Sequence, residues 1–396
     1  MENTSNFILL YPHKIIKKNN IITANNNKCK INKNKNILIF VFKLIFIFIL
    51  IGVFLLIFYL IYQKRKNESR NASKKLDLSS INNLFNFSFN YNEFNETINK
   101  KYIKFQNDFC KKNDKNVNQE IENILKITNV NFNGINFDMY VYKGEDIVSY
   151  SIRASNNYEG SYSINILKAL EYYKKKNNFE NKDIYILDVG SNVGWYTYFL
   201  GKFGFKIMSF EANKINSYIL YKNYCLNKDV KTTIINRGLD LEEKKCYLKI
   251  VEKNQGDGIT YCENLGKLNK IFDGEIFDNI ELTTLNRYIK FLTKNNLALI
   301  KIDVEGAEGN VIMGGKKLIS EYHIPFIFME YTKKYLEAHG TNVLEFLQFF
   351  ENNGYKISME NFFSKKYISP LELINKNNII NLFITHEKII EEIENI

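Results

Sequence analysis

Residues 184–211, IYILDVGSNVGWYTYFLGKFGFKIMSFE, constrain the fold of this chain more than any other stretch. A short apolar run, 184–187, has the length of a strand and meets DVGSNVG at 188–194. A helical segment at 195–203 follows, then a second strand at 206–210 that ends on Glu211. Strand, glycine turn, helix, strand, acid is the nucleoside-binding half of a doubly wound sheet. Gly190 and Gly194 allow a tight turn and a close ligand approach where a Cβ would clash. Glu211 lies 21 residues past Gly190, near the ~20-residue spacing at which an acid reaches ribose hydroxyls.

The spacing argues against a dinucleotide. A pyrophosphate fingerprint reads G-x-G-x-x-G, but Asn192 stands two residues after Gly190 and the pattern here is Gly-x-x-x-Gly. Asp188 at the head of the turn is a poor neighbour for phosphate. The turn suits a cofactor with a ribose, an amino-acid moiety and a positive centre. S-adenosylmethionine has all three: carboxylates favour its sulfonium and ammonium, and a helix N-terminus can face its carboxylate. A nicotinamide enzyme is the rival within catalysis, and the phosphate-friendly glycines it needs are missing.

Charge divides the chain. Residues 1–120 carry 20 Lys and Arg against 8 Asp and Glu, while residues 121–396 carry 34 against 35. The net +11 therefore belongs to the N-terminal part, and a nucleic-acid face on the folded domain has no support from charge. Residues 1–35, rich in Asn, Lys and Ile without a sustained period, read as a disordered tail. Residues 37–62 read as a transmembrane helix, with 44–62 an unbroken run of 19 uncharged residues. At ~1.5 Å per residue the span exceeds the ~30 Å hydrocarbon core. It is too uniformly apolar for a buried helix, and too long, with no A-x-A-like site after it, for a signal peptide.

Seven lysines precede the span and six basic residues follow it closely, so the positive-inside rule is near a tie. Sequons at Asn67, Asn71, Asn86 and Asn95 fall between the span and residue 97, one more lies at Asn3, and none occurs from 98 onward. This favours a cytoplasmic N-terminus and a lumenal catalytic part, in the endoplasmic reticulum or Golgi. Cys29 would then be cytosolic. Cys110, Cys225, Cys246 and Cys262 would be lumenal, an even number compatible with two disulfides and without metal spacing.

Residues 63–120 read as a polar stem and 121–396 as the folded domain. Residues 139–142 and 147–152 suggest a hairpin around 143–146; 162–173 and 215–227 suggest helices, and 232–236 a third strand. Strands at 244–251 and 279–283 flank a loop holding Gly256, Asp257 and Gly258, which reads as a substrate-side loop or an ordinary turn. A helix candidate covers 284–292. ALIKIDVEGAE at 298–308 is a buried strand running through Gly306 into a helix. An apolar strand at 324–329 ends on Glu330, and 343–350, 355–358 and 379–385 continue the alternation. Strands separated by helices give an α/β fold with a mostly parallel sheet covered on both faces. Asp188, Glu211 and Asp303 sit just past strand ends, where such sheets bind ligands. Glu305, Glu308 and Glu330 join that rim, although Glu308 is equally suited to opening the next helix.

DVGSNVGWY at 188–196, FEAN at 210–213 and IKIDVEGAE at 300–308, in that order, resemble the FkbM family of S-adenosylmethionine-dependent O-methyltransferases. Glu145, Asp146 and Ser149, and Asn157 to Glu159, resemble its lead-in, and the likeness covers roughly residues 135–386. Ala212 replaces the family's usual proline, and Trp195 its commoner Tyr or Phe. The resemblance implies a Rossmann-like doubly wound methyltransferase domain, placed here behind the single N-terminal transmembrane helix that the 37–62 run suggests. It implies methyl transfer to a hydroxyl, and in an anchored protein of the secretory pathway a glycan or glycoconjugate acceptor. Asp188, Gly190, Ser191, Asn192, Gly194, Glu211 and Asn213 would serve the cofactor. Asp303 is the first candidate for the base that a weak hydroxyl nucleophile needs, with Glu305 and Glu330 behind it. His323 and His339 read as structural, and no metal is expected. The alternative is a catalytically silent, membrane-tethered adaptor that keeps the fold.

Overall fold

The computed structural model describes residues 94–112, 119–251, 254–262, 275–292 and 296–394, with a few positions between 56 and 63. Two compact units divide the chain, Met1–Lys74 and Lys75–Ile396. In the first, Leu56, Ile57, Tyr59 and Leu60 are helical and exposed. The tail, most of the 37–62 span and residues 64–93 lie outside the described residues, and among the described residues no helix is long and apolar enough to cross a membrane.

The first element of the second unit among the described residues is a helix, Glu96–Lys112. A hairpin follows, β1 (Leu125–Phe132) and β2 (Ile135–Tyr142). It turns at Asn133 and Gly134, both at positive φ. The hairpin expected around 143–146 is therefore misplaced. Residues Ile147–Ser155 form a helix because Asp146 caps it, accepting the Ser149 N–H at 2.7 Å.

The main sheet uses β3 (Tyr185–Val189), β4 (Lys206–Phe210) and β5 (Lys231–Ile235). A smaller sheet interrupts it: β6 (Gly238–Leu239), β7 (Lys244–Val251), β8 (Asn254–Tyr261) and β9 (Glu275–Thr283). The glycines at 256 and 258 thus lie in a strand, not a loop. The helix expected at 284–292 is a short 3-10 turn, Leu285–Tyr288. The main sheet then resumes with β10 (Leu297–Ile302), β11 (Phe326–Tyr331), β12 (Tyr355–Ser358) and β13 (Ile380–His386).

Strand order is β12-β13-β11-β10-β3-β4-β5. The five strands from β11 to β5 are parallel, β13 runs antiparallel to β11, and β12 antiparallel to β13. Parallel central strands are apolar because helices cover both faces, and every residue of β10 is buried. Neighbours along a strand serve opposite layers. Ile186 packs with Phe199, Leu220 and Leu170 on one face. Leu187, Val189, Ile300 and Ile302 pack with Val311 and Phe346 on the other. The chain leaves β3 toward β5 on one side and returns at β10 on the other. The crevice beyond the C-terminal ends of β3 and β10 is a topological switch point.

The expected stem is partly core. Phe94, Ile98, Tyr102 and Phe109 are buried, so the folded unit starts well before residue 120. Gln106, fully buried, donates to the Thr232 carbonyl at 3.0 Å and accepts the Ile234 N–H at 2.9 Å. It satisfies the open main chain of the edge strand β5, which would otherwise invite pairing. Disulfides join Cys110 to Cys225 and Cys246 to Cys262.

Candidate active site

A cleft of about 890 Å³, including its open mouth, lies at the switch point. Ligand sites commonly occupy such places. Gly190, Ser191, Asn192, Glu211, Ala212 and Asn213 form one wall, and Lys301, Asp303, Glu305 and Ala307 another. Tyr158, Trp195, Gly256, Asp257 and Gly258 complete much of the lining.

The turn after β3 has little freedom. Gly190 takes φ +74°, and a Cβ there would meet the Asp303 carbonyl oxygen at 1.7 Å. The amides of Gly190 and Ser191 both donate to the Phe210 carbonyl at 3.0 Å. Asn192 sits at φ +50°, a conformation that asparagine tolerates better than most residues. Its N–H donates to Glu211 Oε2 at 2.7 Å, and the Asn213 N–H donates to Oε1 at 2.8 Å. Asn213 also caps helix Lys214–Leu226.

β8 is clamped onto this wall. The Gly256 carbonyl accepts from Asn192 at 3.1 Å and from Asn216 at 2.7 Å, while its N–H donates to Asp146 Oδ2 at 3.0 Å. Asp257 is thereby brought beside Glu305, so that each carboxyl acts on the other's proton affinity. Burial first, and then Asp257, push Glu305 well above the usual carboxyl range. Two carboxyls in one buried site disfavour each other's ionisation.

Asp303, Glu305, Glu211 and the glycine turn therefore meet in one cleft. Asp188 does not line it. Its side chain lies beneath the turn, where Thr197 Oγ1 donates to Oδ2 at 2.6 Å and the Lys301 ammonium lies 3.8 Å from Oδ1. Strand parity is the reason: Val189, the next residue, takes the place on the wall. Gly194 is likewise behind the wall, at φ +96° against Leu220 and Tyr198. Glu330 is one layer back, close to Thr332, and burial followed by Asp303 pushes it to about 8. Glu308 closes its own turn, accepting the Val304 and Gly306 N–H groups at 3.0 and 3.1 Å. His339 bonds the Tyr335 carbonyl, and the His323 ring lies 4.9 Å from that of His386, tilted by 56°. Neither histidine reaches the cleft.

Sequence reasoning missed Lys301, although the signal was present. A charged residue inside a strand buried throughout, LALIKI, needs a paired and hydrogen-bonded environment. Here its Nζ donates to the Gly190 carbonyl at 2.8 Å and lies 3.5 Å from Asp303 Oδ2. Burial alone would lower the Lys301 pKa; Asp303, Asp188 and Glu159 outweigh it and raise it.

A family comparison matches residues 188–357 to the methyltransferase FkbM domain. The chain carries an FkbM methyltransferase domain. Among solved structures, the bifunctional kinase-methyltransferase WbdD aligns at TM-score 0.34 and 8% identity, over 60% of this chain and 43% of that one. The Pyrococcus abyssi tRNA (uracil-54, C5)-methyltransferase, in complex with S-adenosyl-L-homocysteine, aligns at 0.30 and 11%, over 65% and 43%. The T. thermophilus 16S rRNA N2 G1207 methyltransferase RsmC, in complex with AdoMet and guanosine, aligns at 0.30 and 10%, over 66% and 51%. This chain thus spans about half or less of each of these distant structures. No protein of curated function matches the sequence.

The FkbM domain offers a sulfonium donor what it denies a phosphate. The wall residues are carboxylates and amides, and the one cation lining the cleft among the described residues, Lys301, is already engaged. Glu211 is suited to receive ribose hydroxyls. Burial pushes its carboxyl up to about 7, opposed by the Asn213 and Asn192 amides. A raised folded pKa stabilises the ligand-free fold below about 4.5, and that contribution is lost as pH rises through about 7. Hydroxyl donors need the ionised form, so the two effects have opposite sign. S-adenosylhomocysteine affinity is expected to weaken as pH falls through about 7, approaching ~10-fold per unit below it. Isothermal titration across that range checks this, and Glu211→Gln should flatten the profile.

Proposed function

We propose that the FkbM domain transfers a methyl group from S-adenosylmethionine to a hydroxyl of a glycan or glycoconjugate. The observation that carries this reading is Glu211: a cleft carboxylate at the tip of β4, with each oxygen held by one amide. Asn192 and Asn213 fix its orientation, and Gly190 brings main chain close to the ligand without a Cβ. S-adenosylmethionine, when bound, supplies an electrophilic methyl group. Asp303 takes the proton of the acceptor hydroxyl, and its side chain, 26% exposed, opens onto the cleft. Alignment of the two reactants supplies much of the rate.

Residues 37–62 anchor the protein in a bilayer on this reading, with the catalytic unit on the lumenal side. Two disulfides in that unit suit an oxidising compartment, and the sequons between residues 67 and 97 agree with it. Isothermal titration with S-adenosylhomocysteine and with NAD, followed by transfer of labelled methyl to cell-surface glycan extracts, tests the proposal. Saturable S-adenosylhomocysteine binding and label in alkali-stable glycan ethers are expected. NAD binding without a response to S-adenosylhomocysteine would remove the methyl donor, and binding without transfer to any extract would favour an adaptor.

A further inference from the structure

The FkbM domain has two functional walls carried by different strands, and one side chain touches both. Lys301 projects from β10 beneath the cleft, with its ammonium above the Tyr196 ring at 5.6 Å. It donates to the carbonyl of Gly190, the pivot of the turn after β3, at 2.8 Å. The same ammonium lies 3.5 Å from the carboxylate of Asp303 and 3.8 Å from that of Asp188. Only 4% of its side chain is exposed, so these partners and not water satisfy it.

We propose that Lys301 is the positioning residue of this site, tying the donor-side turn at Gly190 to the acceptor-side carboxylate of Asp303 so that the two walls act as one unit. The inference rests on the methyltransferase reading for its catalytic consequence, and on the hydrogen bond and ion pairs alone for its mechanical one.

The electrostatic setting shows why an ammonium is needed. Asp303 shares its surroundings with Glu159 ahead of helix Gly160–Asn177, Asp257 on β8, Glu305 in its own turn and Glu330 on β11. Tyr158 and Tyr196 face the same group of carboxyls with phenols raised by burial. Like charges at such range disfavour ionisation, and an opposite charge within ~4–6 Å favours it. Lys301 is the one cation lining this group of carboxyls among the described residues, so removing it leaves their mutual repulsion unopposed.

Lys301→Met alone leaves Asp188 buried without its cation, a change that can unfold a protein by itself. Asp188→Asn/Lys301→Met removes both charges of the buried pair and is compared with Asp188→Asn. Four readouts are taken. Relative to Asp188→Asn, the double variant should bind S-adenosylhomocysteine within about fivefold, since Glu211 keeps its bond from the Asn213 N–H, which lies outside the turn. Its turnover should fall about 10-fold or more, and the acid limb of its kcat/KM profile should move up by about one pH unit or more. In the ligand-free protein, hydrogen exchange should accelerate together at the amides of residues 190–194 and 303–306. Unchanged exchange at both segments overturns the proposal whether or not an acceptor has been found. An unmoved acid limb, in a protein whose wild type turns over, overturns it while leaving the methyltransferase reading intact. Absence of wild-type transfer counts against that reading instead.

Discussion

Replacing Asp303 by asparagine is expected to lower methyl transfer by about 10²-fold or more, the scale of losing a general base, while S-adenosylhomocysteine affinity stays within a few-fold. The separation of the two effects follows from geometry. Asp303 lies just beyond β10, and its main chain is held by its N–H to the Val189 carbonyl at 3.0 Å. Asparagine keeps that backbone contact, nearly the same volume and an oxygen facing Lys301, whose own bond to the Gly190 carbonyl at 2.8 Å is untouched, so the turn stays in place. Only the charge and the capacity to accept a proton are lost. Steady-state rates with labelled donor, read beside isothermal titration of the product, check the prediction. Unchanged turnover would remove Asp303 from the chemistry and leave its neighbours Glu305 and Asp257 to be tested in turn.

Gly190→Ala should abolish cofactor binding and sharply lower thermal stability. Two costs combine at this position. A non-glycine residue at φ +74° pays roughly 1–2 kcal/mol for the left-handed conformation. The larger cost is steric: the new Cβ would lie 1.7 Å from the Asp303 carbonyl oxygen and 2.8 Å from its carbon. Both atoms are main chain of the adjoining strand end, so no rotamer can relieve the contact. β3 and β10 would have to part at the switch point, breaking the bond from Asp303 N–H to Val189. The total loss is expected to reach about 4 kcal/mol or more, the exceptional range for one substitution. Calorimetry and titration with S-adenosylhomocysteine measure it. A near-normal melting temperature would show that the strands are not locked there. Gly204→Ala is the control: it has a similar φ, +95°, but its Cβ would meet nothing closer than 3.6 Å.

The parts of this architecture that local pattern controls were legible in the sequence. β3, β4, β5 and β10 are short apolar runs bounded by turn residues, and Glu211 and Asp303 fall just past β4 and β10 because the polarity changes there. The departures have a common cause in long-range partners. Helix Ile147–Ser155 looked extended because its IVSYSI begins with β-branched residues, yet Asp146 caps it and also holds Gly256, 110 positions away. Gly256 and Gly258 looked like a loop because glycine is a poor strand former. In β8 they are small because Asp146 and Leu248 press on them, at 2.3 and 2.9 Å from where a Cβ would be. Asp188 was legible as important but not in its place, because its partners Thr197 and Lys301 come from a helix and a strand that only the folded sheet brings beneath it.

The polar 63–120 region read as a stem for the same reason: Gln106 and Cys110 reveal nothing until β5 and Cys225 are beside them. That arrangement governs how the catalytic unit can be isolated. A fragment cut to start at residue 120 would bare the outermost strand of the seven-stranded sheet along Thr232 to Ile234 and leave one cysteine unmatched. Copies of it could then zip together edge to edge or cross-link through Cys225. A soluble form should instead keep the whole of Glu96–Lys112, and be made where thiols are oxidised.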